Sequence, residues 1–143
     1  MKIGVIGLGN IGRMLVKRFA EAITPSDIIV FDIHKTRKNK YSLAKSAQEV
    51  VDKSEIVFLC IRPQDLKDFF SNVKPKNRII ISTVAAIFEK TYYKQLGKIK
   101  LIRIIPSMIN KIGVLHQNLL KNKVERYDKK ESNLNYRFIW YDW

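Results

Sequence analysis

Three glycines near the amino terminus, Gly7, Gly9 and Gly12 in "GVIGLGNIGRML", constrain this chain more than any other feature. The residues before them, Ile3, Val5 and Ile6, are β-branched and predict a buried strand over 2–7. After them, apolar residues at Ile11, Met14, Leu15, Phe19 and Ala22 have the spacing of a helix over 10–22. In a G-x-G-x-x-G that joins a strand to a helix, each glycine has its own job. Gly7 permits the tight turn, Gly9 leaves room for a pyrophosphate, and Gly12 lets helix and strand pack closely. The helix N-terminus then presents N–H groups and the positive end of its dipole to phosphate. Asp32 ends the second apolar run, about 20 residues on, where a ribose-binding acid is expected. The competing reading is a turn that serves the fold alone.

The rest of the chain supplies a matching frame. "IIVFD" (28–32), "EIVFLCI" (55–61), "RIIISTV" (78–84) and "KLIRII" (100–105) are apolar without alternation, as in strands buried on both faces. Helices are predicted over 46–53, from Pro63 to about residue 72, and over 88–96. The first has Ser46 and Glu49 as a capping box, and the second has proline in its first turn. Residues 41–44 form a short strand, and 33–40 a basic loop. The repeated β-α-β order predicts an α/β fold, a Rossmann-like doubly wound parallel sheet in a single domain over 1–114. Residues 115–143 read as an atypical tail with no assigned domain. Its polar middle is expected to be disordered, and Phe138, Ile139, Trp140, Tyr141 and Trp143 are candidates for a final strand.

Charge bears on which dinucleotide would bind. The formal net charge is +14, and most of the excess lies in the first 115 residues. Such a balance favours phosphorylated ligands. A carboxylate at Asp32 favours NAD, because it chelates the ribose hydroxyls and repels a 2′-phosphate. His34, Lys35, Arg37, Lys38 and Lys40 follow at once and favour NADP by direct attraction. The basic residues are scattered and form no recognition helix, so only non-specific nucleic-acid binding is expected. A single cysteine, Cys60, excludes an intramolecular disulfide and points to the cytoplasm. No apolar run approaches the ~20 residues that span a bilayer, and no signal-peptide pattern is present. No metal site is predicted. Cys60 reads as a small core residue. His34 lies in the basic loop and His116 in the tail, so no acid–base pair, and no catalytic residue, is assigned.

"KIGVIGLGNIGRML", "SAQEVVDKSEIVFLCIRPQDL", "IIISTVAAI" and "LIRIIPSMIN" occur in a fixed order that resembles the N-terminal domain of pyrroline-5-carboxylate reductases. "IIPSMIN" is closer to the reductase-like proteins of late-competence operons. The resemblance covers roughly residues 1–114. It implies an NADP(H)-dependent oxidoreductase that passes hydride to a cyclic imine in proline synthesis. It places Leu8, Gly9, Asn10, Ile11 and Gly12 at the pyrophosphate. Cys60, Ile61, Arg62 and Pro63 would lie on the ribose and phosphate side. Residues 82–86, Ala85 among them, and 105–107 with Pro106 would flank the nicotinamide. Three departures stand out: a basic loop replaces the family's longer helical crossover after the second strand, Ala86 occupies a usual glycine position, and 115–143 do not resemble the second, helical domain. That domain dimerises and supplies much of the substrate pocket. The chain is therefore expected to be a shortened piece, a natural truncation or a frameshifted product. Two functional readings follow: a reductase domain that needs a helical domain for turnover, and a dinucleotide-binding module that does no chemistry.

Overall fold

All the strands run parallel in one sheet of order β3-β2-β1-β4-β5-β6-β7. The computed structural model describes residues 1–34, 41–104 and 136–138. The strands are β1 Ile3–Ile6, β2 Ile28–Phe31, β3 Ser42–Leu43, β4 Ile56–Leu59, β5 Ile79–Ser82, β6 Lys100–Arg103 and β7 Tyr136–Phe138. The helices are α1 Asn10–Phe19, α2 Ala47–Lys53, α3 Leu66–Asn72 and α4 Glu89–Leu96. The chain moves outward from β1 to β3, then returns to lay β4 on the other side of β1. That reversal puts a topological switch point between β1 and β4, where open α/β sheets bind ligands at their carboxyl edge.

The strand residues divide between two cores. Ile3, Val5, Ile28, Val30, Phe58 and Ile81 pack on one face with Leu15, Val16 and Phe19 of α1. Ile6, Ile29, Val57, Leu59, Ile80 and Leu101 pack on the other, against residues of α2, α3 and α4. The period of two along each strand sends neighbours to opposite faces. With helices on both sides, both sets must be apolar, which is why the sequence shows no alternation.

Local chemistry sets the helix ends. Helix α1 stops at Phe19, earlier than the predicted residue 22, because the next bonds tighten: Glu21 N–H donates to Arg18 and Ala22 N–H to Phe19. Ser46 caps α2 by accepting from the Glu49 N–H at 3.1 Å. Glu49 closes the box one residue early, accepting from the Lys45 N–H at 2.7 Å. Pro63 opens a 3-10 turn, Pro63–Asp65, before α3 begins. Strand β7 extends the sheet beyond the predicted last strand, pairing Leu101 with Tyr136 and Arg103 with Phe138. The candidate final strand thus begins two residues before Phe138; the other aromatic residues proposed for it lie outside the described residues. No helix among the described residues is long and apolar enough to cross a membrane.

Candidate dinucleotide site

The glycine turn lies at the carboxyl end of β1, against the end of β4. Gly7 has φ +93°, a conformation that favours glycine. A Cβ on it would stand 2.5 Å from the Cys60 carbonyl oxygen. Its N–H donates to the Phe31 carbonyl at 2.8 Å, so β1, β2 and β4 converge there. A Cβ on Gly12 would stand 1.9 Å from the Gly7 carbonyl oxygen, so α1 can start this close to the turn only with glycine. Gly9 differs from both. It is exposed, its φ is −67°, and beyond its chain neighbours no protein atom lies within 4 Å of where its Cβ would be. Neither the backbone nor the packing requires glycine at position 9, and the space beside it is open.

Helix α1 presents its N-terminus to that space. It has no side-chain cap and no acid in its first turn. The first helical bond runs from the Arg13 N–H to the Gly9 carbonyl at 3.0 Å, so the N–H groups of Asn10, Ile11 and Gly12 precede it. The Asn10 side chain accepts from the Arg13 guanidinium at 3.0 Å, which holds a cation beside the same turn. An uncapped positive helix end with a cation and no acid suits an anion.

Asp32 braces the turn. Its Oδ2 accepts from the Leu8 N–H at 2.6 Å, and its Oδ1 from the His34 N–H at 2.8 Å. The Leu8 amide, expected at the pyrophosphate, is thus directed to Asp32, and the Leu8 side chain is buried in the α1 core. A carboxylate has about four acceptor sites, so Asp32 keeps capacity for ribose hydroxyls.

The corner after β4 combines a core thiol and an ion pair. Burial pushes the Cys60 thiol up to about 12, and a bond with Thr83 opposes this only in part. Cys60 is therefore a protonated packing residue and no nucleophile. Ile61 is half-buried, and Pro63 starts the turn into α3. The Arg62 guanidinium donates to Asp65 through Nε at 3.0 Å and Nη2 at 3.2 Å. The pair raises the pKa of Arg62 and lowers that of Asp65, with a smaller electrostatic contribution from His34 to Asp65. Asp65 was not among the predicted site residues, although its three-residue spacing from Arg62 is visible in the sequence.

After β5, residues 83–86 turn over the same edge. The Thr83 N–H donates to the Leu59 carbonyl at 3.0 Å, and Ala85 and Ala86 are exposed. Ala86 has φ +60°, a left-handed conformation that costs an L-residue roughly 1–2 kcal/mol. Ala86→Gly is expected to raise stability by about 0.5–1 kcal/mol, read as a higher urea midpoint at unchanged slope. An unchanged or lower midpoint would show that Ala86 is not strained. Lys35 and Pro106, both predicted contacts, lie outside the described residues. A shallow cavity of about 270 Å³, lined by Lys2, Ser26, Ser42 and Lys53 among others, involves the amino-terminal ends of the strands and takes no part in this site. No cluster able to hold a metal ion occurs among the described residues.

Residues 2–86 match the family model described as "NADP oxidoreductase coenzyme F420-dependent". The chain is 30% identical over 123 residues to ComE operon protein 4 of Bacillus subtilis, an alignment that covers 78% of this chain and 45% of that protein. It is 26% identical over 119 residues to the pyrroline-5-carboxylate reductase of Aquifex aeolicus, covering 79% of this chain and 45% of that one. The chain thus spans about half the length of the curated relatives it matches. Among solved structures, it shares its fold with the pyrroline carboxylate reductase of Plasmodium falciparum with NADP bound, at TM-score 0.64 and 17% identity, over 84% of this chain and 53% of that one.

Proposed function

Since this chain belongs to the family of NADP oxidoreductases described as coenzyme F420-dependent, we propose that it holds NADP(H) along the carboxyl edge of its sheet. In this reading it is the nucleotide-binding part of an oxidoreductase of the pyrroline-5-carboxylate reductase kind. The observation that carries the proposal is the uncapped start of α1 above the open space at Gly9. A side chain at Gly9 would fill that space with no gain in packing, and the N–H groups of Asn10, Ile11 and Gly12 suit a pyrophosphate. Asp32 and His34 would face the adenosine ribose, joined by Lys35 if NADP is preferred. Arg62 would reach the phosphate side only by sharing its guanidinium with Asp65. Residues 83–86 and Pro106 would border the nicotinamide.

The cofactor supplies hydride, and the protein supplies orientation and a site from which water is excluded. A cyclic imine of the proline-synthesis type is the substrate class this reading implies, once a helical domain completes the pocket. A cytoplasmic location is part of the same proposal, consistent with a single cysteine carried as a half-buried free thiol. The second reading is a dinucleotide-binding module without turnover, in keeping with a site to which no catalytic residue is assigned. Calorimetric titration with NADPH and NADH tests the cofactor. Tighter NADPH supports the proposal, tighter NADH makes Asp32 the determinant, and no binding to either overturns it. Turnover of pyrroline-5-carboxylate by the pure chain would exclude the module reading.

A further inference from the structure

A buried polar set lies under the same edge and has no part in the contacts above. Arg103 ends β6, and its side chain is only 9% exposed. Its Nη1 donates to Glu89 Oε1 at 2.9 Å, in the first turn of α4. Its Nη2 lies 3.5 Å from the Val84 carbonyl oxygen. Ser82, at the end of the neighbouring strand β5, has its hydroxyl 2.7 Å from that of the fully buried Tyr92 in α4. The Ser82 Oγ also accepts from the Val84 N–H at 3.2 Å. Side chains therefore engage both backbone polar groups of Val84: Ser82, backed by Tyr92, and Arg103, backed by Glu89.

Stability is a poor reason for this arrangement. Taking two charges out of water offsets most of their attraction, and apolar replacements of buried ion pairs are often neutral or better. What the set does achieve is geometric. Two residues on from Val84, Ala86 adopts a left-handed conformation. Such backbone persists only where its surroundings over-determine it. The geometry points to Glu89–Arg103 and Ser82–Tyr92 as a clamp that positions the 84–86 turn against the nicotinamide end of the cofactor. This rests on the cofactor reading above: a dinucleotide with its adenosine at Asp32 and its phosphates at Gly9 extends past β4 toward β5. Arg103 and Tyr92 are positioning residues that act through Val84. The adenosine half depends on the ends of β1 and β2, which the clamp does not touch.

The test uses the full chain with Arg103→Met and Tyr92→Phe. Each is titrated with NADPH and with 2′,5′-ADP, which keeps the adenosine and its 2′-phosphate but has no nicotinamide. Nicotinamide emission is recorded for bound NADPH. Arg103→Met is expected to weaken NADPH about tenfold and alter the emission, leaving 2′,5′-ADP within about twofold. Tyr92→Phe is expected to shift the same way by a smaller factor. If Arg103→Met unfolds and binds neither ligand, Tyr92→Phe decides, since it keeps the ring and removes only the hydroxyl. Equal weakening of both ligands in Tyr92→Phe, or no change in either variant, overturns the clamp and leaves the cofactor reading standing. An unmodified chain that binds neither ligand overturns both.

Discussion

Gly9→Ala is expected to abolish tight NADPH binding while leaving the fold nearly as stable as before, and Gly12→Ala to damage the fold itself. The two glycines are three residues apart, and their surroundings differ. Beyond its chain neighbours, a methyl at position 9 meets no protein atom within 4 Å, and φ there is ordinary for alanine. Its effect on stability should stay within about 1 kcal/mol, since alanine is only a somewhat poorer helix cap than glycine. In the cofactor reading that methyl occupies the pyrophosphate's place, so NADPH affinity should fall at least about tenfold. A methyl at position 12 lands 1.9 Å from the Gly7 carbonyl oxygen, which is backbone and cannot swing aside. Helix and turn must separate, at about 3 kcal/mol, the upper end for overpacking. Urea unfolding and calorimetry on both variants give the comparison. If Gly9→Ala binds NADPH like the unmodified chain, the turn serves the fold alone.

Asp32→Ala should weaken the fold as well as the site, because Asp32 braces the glycine turn. It frees two backbone N–H groups, those of Leu8 and His34, from a charged acceptor. Hydrogen bonds to charged groups contribute about 1.5–3 kcal/mol each. Solvent replaces part of that here, because Asp32 is only half-buried and the His34 bond is exposed. A net loss of about 2 kcal/mol is expected. Asp32→Asn keeps one acceptor oxygen and should lose less. It also removes the charge that opposes a 2′-phosphate, so it should move the NADPH-to-NADH preference toward NADPH. Unchanged stability in Asp32→Ala would show that the brace contributes nothing. An unchanged preference in Asp32→Asn would remove Asp32 from cofactor selection.

The frame of this molecule was legible from residue pattern, and the reason is local. Five apolar runs became the strands β1, β2, β4, β5 and β6 because β-branched residues buried on both sides leave the backbone few alternatives, whereas β3 is the short exposed Ser42–Leu43. The four helices appeared where apolar spacing, the Ser46 cap and Pro63 marked them. Their ends moved by a few residues, since a bond from i to i−3 in place of i−4 depends on fine geometry. Strand β7 was less legible. It pairs with an exposed edge of β6, and the pull of an open edge is not written in the residues that answer it.

The candidate site divides along the same line. That a glycine turn follows a strand, opens a helix and is followed by an acid is written in the residues, because each of those signals spans only a few positions. That the acid's first partner is the Leu8 amide, 24 residues away, follows from how β1 and β2 pack side by side. The tertiary structure also put the Gly7 carbonyl oxygen against Gly12 and left open space beside Gly9. Arg103 looked like one cation in an apolar run. Packing α4 against β6 brought Glu89 to it across 14 residues and turned it into a buried clamp. The physical reason is range. Steric and periodic preferences act within a turn or a strand, whereas the partner of a buried charge is chosen by which elements pack together.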